Sequence, residues 1–65
     1  MNDAKKREEF WSKIKEKDRS FAWFHRNYLS GCKLSYNTLY KQAKGQELTV
    51  MSHELREAIN NYLAD

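Results

Sequence analysis

Few side chains in this sequence could do covalent chemistry. The residue types suited to proton transfer or nucleophilic attack are His25, His53 and Cys32. His25 lies between Phe24 and Arg26 with no acid or nucleophile spaced around it, so a half-buried structural or phosphate-facing role suits it better than that of a general base. His53 directly follows Ser52 and reads as a first-turn helix residue. Cys32 is the single cysteine, which excludes an internal disulfide, points to a reducing cytoplasm and makes the thiol a small apolar filler. One cysteine with two histidines at these separations has no finger-like ligand spacing, so no metal is expected. No paired carboxylates, activated nucleophile or phosphate-cradling glycine loop can be assembled. An enzyme, a cofactor and a small-molecule substrate are therefore not expected.

Charge carries more information. The formal net charge of +3 is unevenly spread. Residues 1–18 nearly balance, with Lys5, Lys6, Arg7, Lys13, Lys15 and Lys17 against Asp3, Glu8, Glu9, Glu16 and Asp18, the pattern of an exposed helix laced with ion pairs. From Arg19 to Gln46 there are five basic residues, Arg19, Arg26, Lys33, Lys41 and Lys44, and no acid. From Glu47 onward Arg56 stands alone against Glu47, Glu54, Glu57 and Asp65. The middle of the chain is where a polyanion would meet no like-charge repulsion.

Length limits what can position these groups. Sixty-five residues form one domain, and a chain of this size buries only about 60% of the surface its unfolded form exposes. Three Phe, two Trp and four Tyr compensate, each large ring burying roughly 150–250 Å². The longest apolar run, Phe21-Ala22-Trp23-Phe24, is far short of the roughly 20 residues of a membrane span, and the basic start has no apolar stretch behind it to form a signal peptide.

The absence of proline, two glycines and apolar spacings of three and four predict an all-α fold of four to five short helices. A first helix is expected over Ala4–Lys17, with Asp3 as N-cap and Phe10, Trp11 and Ile14 inward. A second starts near Arg19 or Ser20, carries Phe21, Phe24, Tyr28 and Leu29 on one stripe, and closes at Ser30-Gly31, where Gly31 acts as a stop or as part of the following turn. Ser35 caps a third helix over Tyr36–Lys44 that ends at Gly45. Its thin apolar side is Leu39 and Ala43, with Tyr36, Asn37, Tyr40, Lys41 and Lys44 largely outside. Ser52 caps a last helix with Leu55, Ala58, Ile59 and Tyr62 inward and Leu63 alongside.

Two short helices joined by a turn, the second capped by serine and poor in acid, is the plan of a helix-turn-helix unit. The stretch from Leu34 through Ser35-Tyr36-Asn37-Thr38-Leu39-Tyr40-Lys41-Gln42-Ala43-Lys44 to Gly45 resembles the turn and recognition helix of the phage repressor proteins of Cro/C1 or XRE type. The continuation from Gln46 to Ile59 is similar to that family's loop and next helix, and the resemblance covers about Ser20 to Leu63. It implies a single helix-turn-helix domain over 1–65, divided into a charged helix (1–18), the helix-turn-helix unit (19–46) and a loop with a final helix (47–65).

Carried over by position, the resemblance implies that Ser35, Tyr36, Asn37 and Lys41 face base edges or adjacent phosphates, with Tyr40 flanking and Leu39 as the buried anchor. Asn can bond adenine through two hydrogen bonds, Lys can reach guanine acceptors or phosphate, and a tyrosine ring can meet a thymine methyl. Thr38, Lys44 and Gln46 are placed for backbone contact, and Arg19 and Ser20 for a phosphate at the start of the second helix. The sequence departs from the family in Lys33 at the usual turn glycine, bulky Leu29 at a small-residue position, Gln42 at an aliphatic one, and no counterpart of a fifth helix. Either the helices cross differently or Ser30–Lys33 forms a longer turn.

The expectation is a sequence-specific regulator of double-stranded DNA, a phage or mobile-element repressor acting in the cytoplasm as a homodimer on a palindromic operator. One module contacts too few phosphates to bind tightly alone. The competing expectation is a helical protein-interaction module, such as an antitoxin, inhibitor or host-takeover factor, which exposed Trp11, Trp23 or Tyr62 would favour.

Overall fold

A computed structural model describes residues 3–46 and 50–65 and shows four helices and, among these residues, no strand: α1 (Asp3–Glu16), α2 (Phe21–Tyr28), α3 (Tyr36–Lys44) and α4 (His53–Ala64). None is long and apolar enough to cross a membrane. Glu47, Leu48 and Thr49, assigned from sequence to the loop before the last helix, lie outside the described residues.

The helix boundaries follow local chemistry. Ser20, Ser35 and Ser52 are the N-caps of α2, α3 and α4, their hydroxyls accepting from the amides of Trp23, Thr38 and Leu55. The first helix differs from the sequence expectation at both ends. Asp3 belongs to the helix instead of preceding it, and the helix stops at Glu16, one residue early. The stop is made without glycine: Asp18 takes a φ of 55°, its amide donates to the Lys15 carbonyl at 3.1 Å, and the Arg19 amide donates to the Ile14 carbonyl at 2.9 Å. This pair of reversed bonds is the Schellman closure, with aspartate in the left-handed position that glycine usually fills.

α2 ends at Tyr28, with the Leu29 amide donating to the His25 carbonyl, so Gly31 (φ 86°) lies within the connection instead of closing the helix. Residues 29–35 separate α2 from α3, longer than the 3–4 residues usual for a helix-turn-helix connection. The connection has the extra length that the longer-turn alternative calls for. Leu29 is buried and Leu34 and Cys32 pack partly against the core, so the connection is held down by its own apolar side chains.

α4 packs against all three other helices. Its buried stripe, Leu55, Ala58, Ile59 and Tyr62, meets Phe10 and Ile14 of α1, Phe21 and Phe24 of α2, and Leu39 and Ala43 of α3 in one cluster completed by Leu29 and Met51. Phe10 is the hub, with edge-on ring contacts to Phe21, Phe24 and Tyr62. These offset ring pairs add roughly 0.5–1.5 kcal/mol each beyond the burial of area, which is how so short a chain gains a core. The Lys13 ammonium donates to the main-chain oxygens of Tyr62 and Asp65 at 2.7 and 2.6 Å, placing a cation where the carbonyls at the end of α4 need one.

Candidate nucleic-acid interface

A nine-residue helix has no stability of its own in water, so what fixes α3 decides what its outer face can do. At its N-terminus the Ser35 hydroxyl accepts from the Thr38 amide (3.2 Å) and donates to the Thr38 hydroxyl (2.9 Å). At its C-terminus Gly45 turns left-handed with φ 72°, and its amide reaches the Lys41 and Gln42 carbonyls. Two side chains from α1 complete that end. The Trp11 indole donates to the Ala43 carbonyl at 2.9 Å, and Arg7 Nε donates to the Gln42 carbonyl at 2.8 Å. Carbonyls that a helix end leaves without partners are thereby satisfied, and α3 is tied to α1 along its last turn.

With Leu39 and Ala43 buried, α3 turns Tyr36, Asn37, Thr38, Lys41 and Lys44 outward, and all five are exposed. None is acidic, and α3 has no acid in its first turn. Ser35 is exposed, its hydroxyl engaged in the cap. For Tyr40 the sequence left a half-buried and a DNA-facing place equally open, and the structure shows the first. It is half-buried, because Trp11 and Phe21 extend the core under it at ring distances of 6.1 and 5.5 Å. Tyr36 stacks on Tyr40 with the ring planes 10° apart and is braced edge-on by Phe21 and His25. The residue is 39% exposed and held at the first position of α3. The Lys44 ammonium sits 4.0 Å over the Trp11 ring, a cation–π contact at the helix end. Gln46 is exposed just beyond Gly45.

Arg19 and Ser20 stand at the start of α2, as expected. The Ser20 hydroxyl is engaged in capping α2. The Arg19 guanidinium lies 3.9 Å over the Trp23 ring, and Trp23 in turn meets Tyr28 and Tyr62. Phe21 and His25, by contrast, are the α2 side chains that meet Tyr36. Arg19 thus occupies the α4 side of α2, and the structure does not bring it beside α3. Burial raises the Tyr62 hydroxyl above its ordinary pKa, and the nearby Arg19 charge partly opposes that rise.

Three residues contribute in ways the sequence did not signal. Arg7, read among the balanced charges of an exposed helix, and Trp11, read as facing inward, together hold the end of α3; their four-residue spacing put them on one side of α1 but could not say what they faced. Gln42 sits where an aliphatic residue was expected because its side-chain oxygen accepts from the Ser52 amide at 2.9 Å, linking α3 to the start of α4.

Several acidic side chains line other faces. Glu54 and Glu57 line a cleft with residues 28–32, and Glu8, Glu9, Glu16 and Asp65 flank a groove between α1 and α4. His53 pairs with Glu57 at 3.1 Å on the exposed side of α4, a surface pair that adds little. Among the described residues no three His, Cys, Asp or Glu side chains converge as a metal site would require. Comparison with protein-family models, with curated proteins and with solved structures gives no match for this chain.

Proposed function

We propose that the chain is a sequence-specific double-stranded DNA-binding transcriptional regulator of the phage or mobile-element repressor type. In this reading α2, the connection 29–35 and α3 act as a helix-turn-helix with a lengthened turn, and α3 enters the major groove. The observation that carries it is the outer face of α3. Tyr36, Asn37, Thr38, Lys41 and Lys44 are exposed together on a short helix whose two ends are fixed by a serine cap and by Trp11 and Arg7. Asn37 and Tyr36 read base edges, Lys41 a guanine or a phosphate, and Thr38, Lys44 and Gln46 the backbone. Two copies on half-sites about one helical turn apart supply the affinity that one module lacks. Occupied promoter DNA is then closed to transcription.

The protein-interaction alternative gains little support, since Trp11 and Trp23 are half-buried and Tyr62 is buried. Selection from random duplex DNA tests the proposal: enriched palindromes with a fixed half-site spacing are expected. A protein that selects no sequence and binds no duplex in a salt-dependent way is not this regulator.

A further inference from the structure

Of the five cations in the acid-free stretch, three are already engaged. Arg19 lies on Trp23, Lys44 lies over Trp11, and Lys41 has partners of its own. The Arg26 side chain, exposed near the end of α2, has no hydrogen bond, ion pair or ring contact among the described residues. It lines a cleft of ≈ 430 Å³ together with Ala22, His25, Ser30, Gly31 and Tyr36. Among the described residues no carboxylate contributes to that lining.

The lengthened connection shapes this cleft. Residues 30 and 31 turn across the end of α2, with the Cys32 amide closing onto the Leu29 carbonyl at 3.0 Å. A methyl group built on Gly31 would meet nothing within 4 Å, so the turn faces open space there. One wall is Tyr36, the first residue of the helix proposed to read bases, with the His25 ring against it at 5.3 Å. The cleft joins two kinds of surface: the Ala22 methyl and the Tyr36 ring are apolar, while the Arg26 guanidinium and the Ser30 hydroxyl supply donors. Ser30 and Gly31 also border a second cleft that carries Glu54 and Glu57, which disfavour an anion on that side.

We propose that this cleft binds one sugar-phosphate unit of the nucleic-acid backbone, the sugar edge against Ala22 and Tyr36 and the phosphate at Arg26 and Ser30. The inference rests on the DNA-binding reading and deepens it, because it names a contact that sets the register of α3 without reading sequence. A phosphate neutralised by one cation contributes about 0.9 to the slope of log K against log salt concentration on duplex DNA.

The test uses the full chain with Arg26→Gln, Arg26→Lys and Ser30→Ala, each checked by circular dichroism for retained helicity. Arg26→Gln should weaken binding to the selected site and to random duplex by the same factor and lower the salt slope by about 0.9, while Arg26→Lys keeps the slope. Amide shifts at Ser30 and Gly31 on titration with the dinucleotide d(TpT), lost in Arg26→Gln, are also expected. If the wild-type protein binds duplex and Arg26→Gln leaves affinity and slope unchanged, the cleft proposal is overturned and the DNA reading survives. If no duplex is bound but d(TpT) shifts the two amides in an Arg26-dependent way, the DNA reading falls and the cleft stands as a site for single-stranded backbone. No duplex binding and no such shifts overturn both.

Discussion

The indole nitrogen of Trp11 donates to the main-chain oxygen of Ala43 across 2.9 Å, joining the middle of α1 to the last turn of α3. The bond is partly buried, so removing its donor leaves a carbonyl with little access to water. Trp11→Phe keeps a ring in contact with Phe10 and Tyr40 but cannot donate. It should lower stability by about 1–3 kcal/mol in urea denaturation and weaken DNA binding through α3 without altering the preferred sequence. A variant as stable as wild type would show that the bond does not hold the helix.

Asn37 and Lys41 lie on the same exposed face but are expected to respond differently. Asn37→Ala should cost about 1–3 kcal/mol of affinity for the selected site and relax preference at one base position. Lys41→Ala should lower the salt slope by about 1 if it meets a phosphate, or relax a single position if it meets a guanine. Both positions are exposed, so the melting temperature should stay near wild type. Unchanged DNA binding in both variants would move the function to another face.

Asp18 holds a left-handed conformation that an L-residue adopts at a cost. Asp18→Gly relieves that cost while keeping the closing bonds to Lys15 and Ile14, against a larger entropy loss on folding. A net gain of up to about 1 kcal/mol in urea-denaturation stability is expected. Asp18→Ala should destabilise.

Tyr62 buries a hydroxyl that has no hydrogen-bond partner among the described residues. Tyr62→Phe removes the unpaired group and leaves the ring contacts to Phe10, Trp23, Phe24 and Tyr28, so stability should be unchanged or raised by about 1–2 kcal/mol.

The same hydroxyl and that of Tyr28 give stability a pH dependence. Tyr28 is raised by its hydrogen bond to the Asp65 carboxylate, then by burial, and Tyr62 chiefly by burial. In each case the unfolded chain loses the proton first. The stabilisation is therefore complete below the ordinary tyrosine pKa of about 10 and is lost as pH rises from there through the folded-state values. Urea midpoints measured from pH 8 to 11 should fall above about pH 10, and less so in Tyr28→Phe.

What the sequence revealed was governed by local signals. Ser35, Ser52 and Gly45 mark helix ends through atoms within one turn of themselves, and Leu39, Ala43, Leu55 and Ile59 announce their burial by spacing alone. Asp18 was missed because a left-handed stop without glycine has no compositional signature. Tyr40 could not be settled from sequence between a half-buried and an outward place, because its burial depends on Trp11 and Phe21, which come from two other helices. Gln42 looked like a defect in an apolar pattern until its oxygen was found on the Ser52 amide. Of the candidate site, the face of α3 was legible from periodicity, whereas the separation of Arg19 from that face follows from its stacking on Trp23.

The attachment of α3 by its ends leaves its fold resting mainly on buried and terminal residues and little on its outward side chains. Leu39, Ala43, the Ser35 cap, Gly45 and the α1 donors carry the architecture, while the side chains of Asn37 and Lys41 lie outside the buried cluster, Lys41 joining the closing bonds only through its main-chain carbonyl. Those two positions can be randomised as a small library on a constant scaffold, so that changes of specificity among its members are read without a confounding change of fold.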